Sequence, residues 1–299
     1  MTCIFDTILI VGCGLIGSSI GQAAKASGAA KTVLMSDISN DVCAVIEQLG
    51  FADDVANAPE KLTNQADLVI LATPPARIEA AAKAVIPHMK PGAVLTDVAS
   101  VKGPIISAVE QHLSEDIPFI PGHPIAGTEN SGPEAGFAEL FQDRWCVLTP
   151  KTPEKTPALN ALKKFWGKLG SDVAIMTPER HDLVLATTSH VPHLIAYTLV
   201  GTAVDMETVT RNEVVKFSAG GFRDFTRIAA SDPTMWRDVF LNNKEATLEI
   251  LGRFTEELFA LQRAIRTGDG ELLHDYFTRT RTIRRGIIEA GQDTDAPDF

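Results

Sequence analysis

Residues Thr7–Gly17 read TILIVGCGLIG, and this stretch decides the fold. A short β-branched and apolar run, Thr7 to Val11, stops at Gly12; Leu15, Ile16 and Ile20 then recur at helical spacing through Ala24. The order is strand, tight turn, helix. In that setting Gly12-x-Gly14-x-x-Gly17 is a dinucleotide fingerprint: its glycines allow the turn, the approach of backbone to a pyrophosphate, and close packing of helix on strand. The helix N-terminus faces the anion.

Working outward, further strand-like runs fall at Thr32–Met35, Asp67–Ala72, Ala93–Thr96, Phe119–Ile120, Trp145–Leu148 and Asp172–Met176. Helical patterns lie between them, among them Ala76–Ile86, Pro104–Leu113 and a helix ending at Leu169. Such alternation predicts an α/β domain, a Rossmann-type doubly wound parallel sheet. After Thr177 the strand signals fade, and Thr177 with Pro178 has the pattern of an N-cap followed by a first-turn proline. The expected division is therefore 1–177 for the nucleotide-binding domain and 178–299 for an all-helical substrate and dimerisation domain. Within the latter, Leu251, Phe254, Leu258, Leu261 and Ile265 recur at alternating intervals of three and four, a seam suited to a homodimer. Asp232 before Pro233 reads as another helix N-cap, and the polar tail from Gly291 as a frayed end.

Composition narrows the function. With 299 residues, 45% of them apolar, and a formal net charge of −11, the chain is a folded acidic protein, which argues against nucleic acid or an anionic membrane as partner. A small-molecule substrate is the expectation. No uninterrupted apolar run reaches the roughly eighteen residues of a membrane span, and no signal peptide is evident, so the expected location is cytoplasmic. Cys3, Cys13, Cys43 and Cys146 are scattered, which suggests neither disulfides nor a zinc site. His190 and His193 lack the spacing and third ligand of a metal site, so no metal is expected. Asp37 lies twenty residues beyond Gly17, where a carboxylate accepts from ribose hydroxyls and repels a 2′-phosphate. No Arg or Lys follows until Lys61, which predicts NAD over NADP. Gly12, Gly14, Leu15, Ile16, Gly17, Asp37, Thr73 and Pro74 form the expected cofactor site.

Three more segments carry a resemblance: Asp97–Gly103 (DVASVKG), Gly122–Gly132 (GHPIAGTENSG), and the pair Ser189–His193 (SHVPH) with Gly220–Arg237 (GGFRDFTRIAASDPTMWR). With the fingerprint, the chain resembles the prephenate/arogenate (cyclohexadienyl) dehydrogenase family of tyrosine biosynthesis from about residue 5 to about 285. The resemblance implies NAD-dependent oxidative decarboxylation of a cyclohexadienol. Such a reaction needs a neutral base for the ring hydroxyl, and His123, just past a strand among glycines, has the right chemistry. By resemblance Ser100 joins His123 on that hydroxyl and Glu129 acts beside the site. Arg227 matches the family's substrate arginine, while His193 and Trp236 line the pocket. Asp224, three residues before Arg227, is placed to orient it or to form an ordinary surface pair. Lys102 is expected to be solvated and His190 to be a core residue. A β-hydroxyacid-type dehydrogenase is the competing enzyme class, but its helical lysine has no counterpart between Lys168 and Lys216. A non-catalytic dinucleotide sensor is the other alternative.

Overall fold

The computed structural model describes residues 3–128, 130–151, 156–205, 213, 216 and 220–289. Its centre is a five-stranded parallel sheet of order β3-β2-β1-β4-β5, with β1 at Phe5–Val11, β2 at Ala30–Ser36, β3 at Asp54–Ala56, β4 at Leu68–Leu71 and β5 at Val94–Asp97. Both faces are covered, which is why these strands read as unbroken apolar runs. Ile8 and Ile10 join one core with α1 (Leu15–Ser27) and α5 (Pro157–Lys168), whereas Leu9 and Val11 join the opposite core with α3 (Ile78–Val85) and α4 (Gly103–Glu110). The alternation along β1 follows from the two-residue period of a strand. Chain direction reverses its progress across the sheet between β1 and β4, the position where ligands of open α/β sheets collect beyond the strand ends.

Two short elements escaped the sequence reading: α2 (Asn40–Leu49), capped by the Ser39 side chain, and the three-residue edge strand β3. The predicted strand at Phe119–Ile120 is reduced to a single parallel bridge from Phe119 to Leu95. The chain instead forms β6 at Gly122–Pro124, which pairs antiparallel with β7 (Trp145–Leu148); β7 pairs in parallel with β8 (Asp172–Ile175). His123 therefore sits on a short strand of a second, three-stranded sheet, not in a loop beyond the parallel one. The proline at 124 and the glycine at 127 keep that strand short without preventing it from pairing.

Thr177 caps α6 (Pro178–Leu185) through its side chain, as its sequence predicts. A π-helical turn, Ala186–His190, links α6 to α7 (Val191–Asp205). Pro178–Ala203 thereby makes one 26-residue helical stretch whose most apolar window has mean hydropathy 1.3, long and apolar enough by length and composition to cross a membrane. Polar residues interrupt its apolar run without outweighing it. Several of those polar residues, His181, Asp182 and His190, are buried in hydrogen bonds within the protein. Next come α8 (Gly220–Thr226) and α9 (Pro233–Asn242), the latter capped by Asp232 as expected. Trp236 and Val239 of α9 pack into the second core of the parallel sheet.

The compact unit built on the sheet extends to Lys244, and Glu245–Phe299 forms a second unit. That second unit contains most of α10 (Lys244–Thr267) and all of α11 (Gly270–Glu289). Of the predicted seam, Phe254, Leu258 and Ile265 are exposed within the single chain, as are Phe277, Ile283 and Ile287 on α11.

Candidate active site

At the cofactor end the fingerprint is built as its spacing requires. Gly12 has φ +102°, and a Cβ on Gly17 would lie 2.0 Å from the Gly12 carbonyl oxygen, so both the turn and the approach of α1 depend on bare glycines. Gly14 faces open space where a Cβ would sit. Asp37 stands just past β2, its carboxylate accepting from the Cys13 N–H and the Ser39 N–H, both at 2.9 Å. Thr73 follows β4, and its buried hydroxyl has no partner among the described residues. An open glycine, an oriented carboxylate and an orphaned hydroxyl around the switch point fit a dinucleotide.

Beyond the ends of β5 and β6 lies a buried polar cluster. Asp97, the last residue of β5, accepts from the Ala99 N–H at 2.9 Å and the Gly122 N–H at 3.3 Å. Lys102 is fully buried; its ammonium donates to Asp97 and to the Gly122 carbonyl, each at 2.5 Å. This corrects the expectation of a solvated lysine. A motif of the form DVASVKG gives no local sign that its lysine folds back onto its own aspartate and onto the strand that carries His123.

His123 itself is 7% exposed, and its Nδ1 lies 2.8 Å from Nε2 of His181. His181 in turn meets Asp182 through Nδ1 at 2.8 Å. The Asp182 carboxylate also accepts from the Lys102 N–H at 2.8 Å and the Gly103 N–H at 2.9 Å. Its own carbonyl takes a hydrogen bond from Asn243, which also contacts His190. Burial holds His123 well below its ordinary pKa, with His181, Lys102 and His190 adding to the shift. Burial likewise lowers His181, against the opposing pull of Asp182. For Asp182 burial works against ionisation, but hydrogen bonds from His181, Gly103 and Lys102 prevail and lower its pKa.

A third group gathers on the helices. His193 stacks on Trp236 with ring centroids 3.7 Å apart, and its Nδ1 donates to the Ser189 carbonyl at 2.8 Å. Burial lowers the His193 pKa, and the nearby Arg227 guanidinium pushes the same way. Arg227 thus lies close enough to His193 to act on its charge, exposed at the start of a 3₁₀ turn after α8. Asp224 is solvent-exposed and paired with Arg223 at 3.3 Å. Ser100 lies half-buried in the loop between β5 and α4. Glu129 falls outside the described residues. His181, Asp182, Asn243 and the burial of Lys102 were not foreseen. His181 is 58 positions from His123, and no spacing links them.

Sequence and structure comparisons agree on the family of the chain. Residues 20–175 match the family profile described as prephenate dehydrogenase, nucleotide-binding domain, and residues 177–279 the profile described as prephenate dehydrogenase, dimerization domain. The chain belongs to the prephenate dehydrogenase family. A cyclohexadienyl dehydrogenase of Zymomonas mobilis is 40% identical over 284 residues, spanning 95% of this chain and 97% of the relative. A prephenate dehydrogenase of Bacillus subtilis is 35% identical, over 94% of this chain and 76% of its own length. Among solved structures, prephenate dehydrogenase from Aquifex aeolicus in complex with hydroxyphenyl propionate and NAD⁺ superposes with TM-score 0.86 at 34% identity, covering 94% of this chain and 98% of that one. Synechocystis arogenate dehydrogenase superposes with TM-score 0.78 at 28% identity, over 94% and 99% of the two chains.

The buried histidines make stability pH-dependent. Burial brings His190 down from 6.5 to about 4. The unfolded chain therefore binds a proton below pH 6.5 that the folded chain refuses, and stability present above 6.5 is lost as pH falls toward 4. At ~1.4 kcal/mol per pH unit, His190 accounts for about 2 kcal/mol of loss between pH 7 and pH 5. Urea unfolding at the two pH values should show a drop smaller by about that amount in His190→Gln than in the parent. An equal drop in both proteins would refute the assignment.

Proposed function

We propose that this chain catalyses NAD-dependent oxidative decarboxylation of prephenate to 4-hydroxyphenylpyruvate, of arogenate to tyrosine, or of both. The observation that carries this reading is a buried His123 on the short strand just beyond the end of β5, held by polar partners. Gly12, Gly14, Leu15, Ile16, Gly17, Asp37, Thr73 and Pro74 would hold NAD, which when bound would supply the acceptor for the hydride lost from C4 of the cyclohexadienol ring. His123 accepts the proton of the ring hydroxyl as the C4–O bond gains carbonyl character, and Ser100 holds that hydroxyl in place. The C1–carboxylate bond then breaks, CO₂ leaves, the electron pair of that bond completes the aromatic ring, and the phenolate oxygen takes back the proton from His123.

Arg227, with its planar fork of donors, binds a substrate carboxylate, and the stacked pair of His193 and Trp236 forms the wall against which the ring rests. Glu129 and Asp224 belong beside this pocket, Asp224 as the acid nearest Arg227 in sequence. Residues 1–177 serve the cofactor, and 178–299 serve substrate binding and a homodimer. The apolar residues left exposed on α10 and α11 are suited to that interface. The reading places the enzyme in the cytoplasm, with neither nucleic acid nor membrane as partner.

The test is reduction of NAD by the purified protein with prephenate and, separately, with arogenate, followed by NADP in place of NAD with the better substrate. Turnover with either substrate and preference for NAD are expected. Protein that binds NAD yet turns over neither substrate would defeat the reading. Arg227→Ala should raise KM for substrate by about 10- to 100-fold, the range for a lost charge-assisted contact, with NAD affinity unchanged. A variant whose KM stays at the parent value would remove Arg227 from the pocket.

A further inference from the structure

Proton accounting at the buried cluster leaves one consistent arrangement. Asp182 lies on α6, and its carboxylate is already the acceptor for two backbone N–H groups, from Lys102 and Gly103. As a carboxylate it can only accept, so Nδ1 of His181, 2.8 Å away, carries the proton. A neutral His181 with its proton on Nδ1 has a bare lone pair on Nε2. That lone pair faces Nδ1 of His123 at 2.8 Å, and two bare nitrogens at this distance would repel. Nδ1 of His123 must therefore donate, which leaves its Nε2 without a proton.

We propose that His181 and Asp182 act as a positioning pair that holds His123 in the tautomer with a bare Nε2, the form able to take the proton of a substrate hydroxyl. This rests on the reading of His123 as the base. Neither residue touches the reacting atoms; both act through the imidazole. The pair is itself clamped from several elements: the first residues of α4 and the loop before it grip the carboxylate, and Asn243 grips the Asp182 carbonyl. His181 is fully buried, so water does not compete for its nitrogens. Other ionisable groups around the chain are the Lys102–Asp97 ion pair and His190. Lys102 opposes protonation of both histidines, and burial acts in the same direction. A free imidazole would divide its population between two tautomers and several orientations; this one is held in a single form before substrate arrives.

Two nearly isosteric substitutions separate positioning from packing. His181→Gln keeps a carbonyl oxygen near the position of Nε2 to accept from His123, whereas His181→Met has a similar size but no such acceptor. With whichever substrate the parent protein uses, His181→Met should lose about 10²- to 10³-fold in kcat, within the range for a misdirected imidazole. KM for substrate and NAD should stay within about threefold, and His181→Gln should recover to within about tenfold of the parent. Equal losses in the two variants would overturn the proposal, because packing alone would then explain them. Nitrogen-15 spectra of the parent protein at neutral pH supply a readout independent of turnover and of how the variants fold. His123, assigned by its absence from His123→Asn, should show a protonated Nδ1 and a bare Nε2. A proton on Nε2 would reject the arrangement even in an active enzyme. A bare Nε2 in a protein inactive on both substrates would uphold the positioning pair while overturning the reaction assigned to it.

Discussion

His123→Asn lowers kcat by about 10²- to 10⁴-fold while NAD binds as before. Asparagine fills much of the same space and can still meet His181 through its amide, so the short strand Gly122–Pro124 keeps its pairing with Trp145–Leu148. What it lacks is a nitrogen of suitable basicity. The cofactor loop is a separate construction of Gly12, Gly14 and Gly17, which explains why affinity for NAD should not move. A pH profile adds a second signature. Burial, reinforced by His181, Lys102 and His190, holds His123 well below 6.5, so the base stays unprotonated as pH falls through that value. The acidic limb of kcat/KM attributable to His123 should accordingly lie below 6.5 in the parent and vanish in the variant. Steady-state rates across pH 4.5–8, with NAD titrated by fluorescence, test both statements. Unchanged turnover in His123→Asn would end the assignment of His123 as base.

Lys102→Met destabilises the fold by about 3–5 kcal/mol, the cost of removing one partner from a buried ion pair. The reason lies in what remains. Asp97 is fully buried, and without the ammonium its donors among the described residues are the Ala99 and Gly122 N–H groups. The Gly122 carbonyl loses its contact with Lys102 at the same time. Adding Asp97→Asn to Lys102→Met removes the stranded charge and leaves an acceptor for the Ala99 N–H, so the double variant should regain about half of the loss. Urea unfolding of the parent, the single variant and the double variant measures this. A loss under about 1 kcal/mol for Lys102→Met would mean that the lysine is solvated, as its sequence context first suggests.

The two predictions concern residues of opposite legibility. His123 stands in a stretch whose glycines, proline and flanking residues distinguish it from a surface histidine, and the structure buries it on a short strand of the second sheet. Lys102 sits in a motif of equal distinctiveness, yet the motif gives no sign of its buried environment. A lysine's default is water, and only the folding back of the loop after β5 brings Asp97 and the Gly122 carbonyl within its reach. His181 and Asp182 are a further step removed. They occupy the second turn of a helix whose start was evident from Thr177 and Pro178, but nothing in that helix points to a histidine 58 positions earlier. The edge strand β3 escaped notice because three residues, one of them charged, make no pattern.

Local pattern determined the strand–turn–helix at the start of the chain, the caps at Thr177 and Asp232, and the apolar runs of the parallel sheet. In each case the cause acts between near neighbours: a glycine conformation, a side-chain oxygen reaching a nearby N–H, or burial on both faces of a strand. Tertiary structure decided the second small sheet, the buried lysine and the histidine chain, because these depend on desolvation and on hydrogen bonds that include partners tens of positions apart. The protonation state of His123 is the clearest instance. Its imidazole is an ordinary side chain in the sequence, and is held below its usual pKa because packing excludes water and places His181 against one nitrogen.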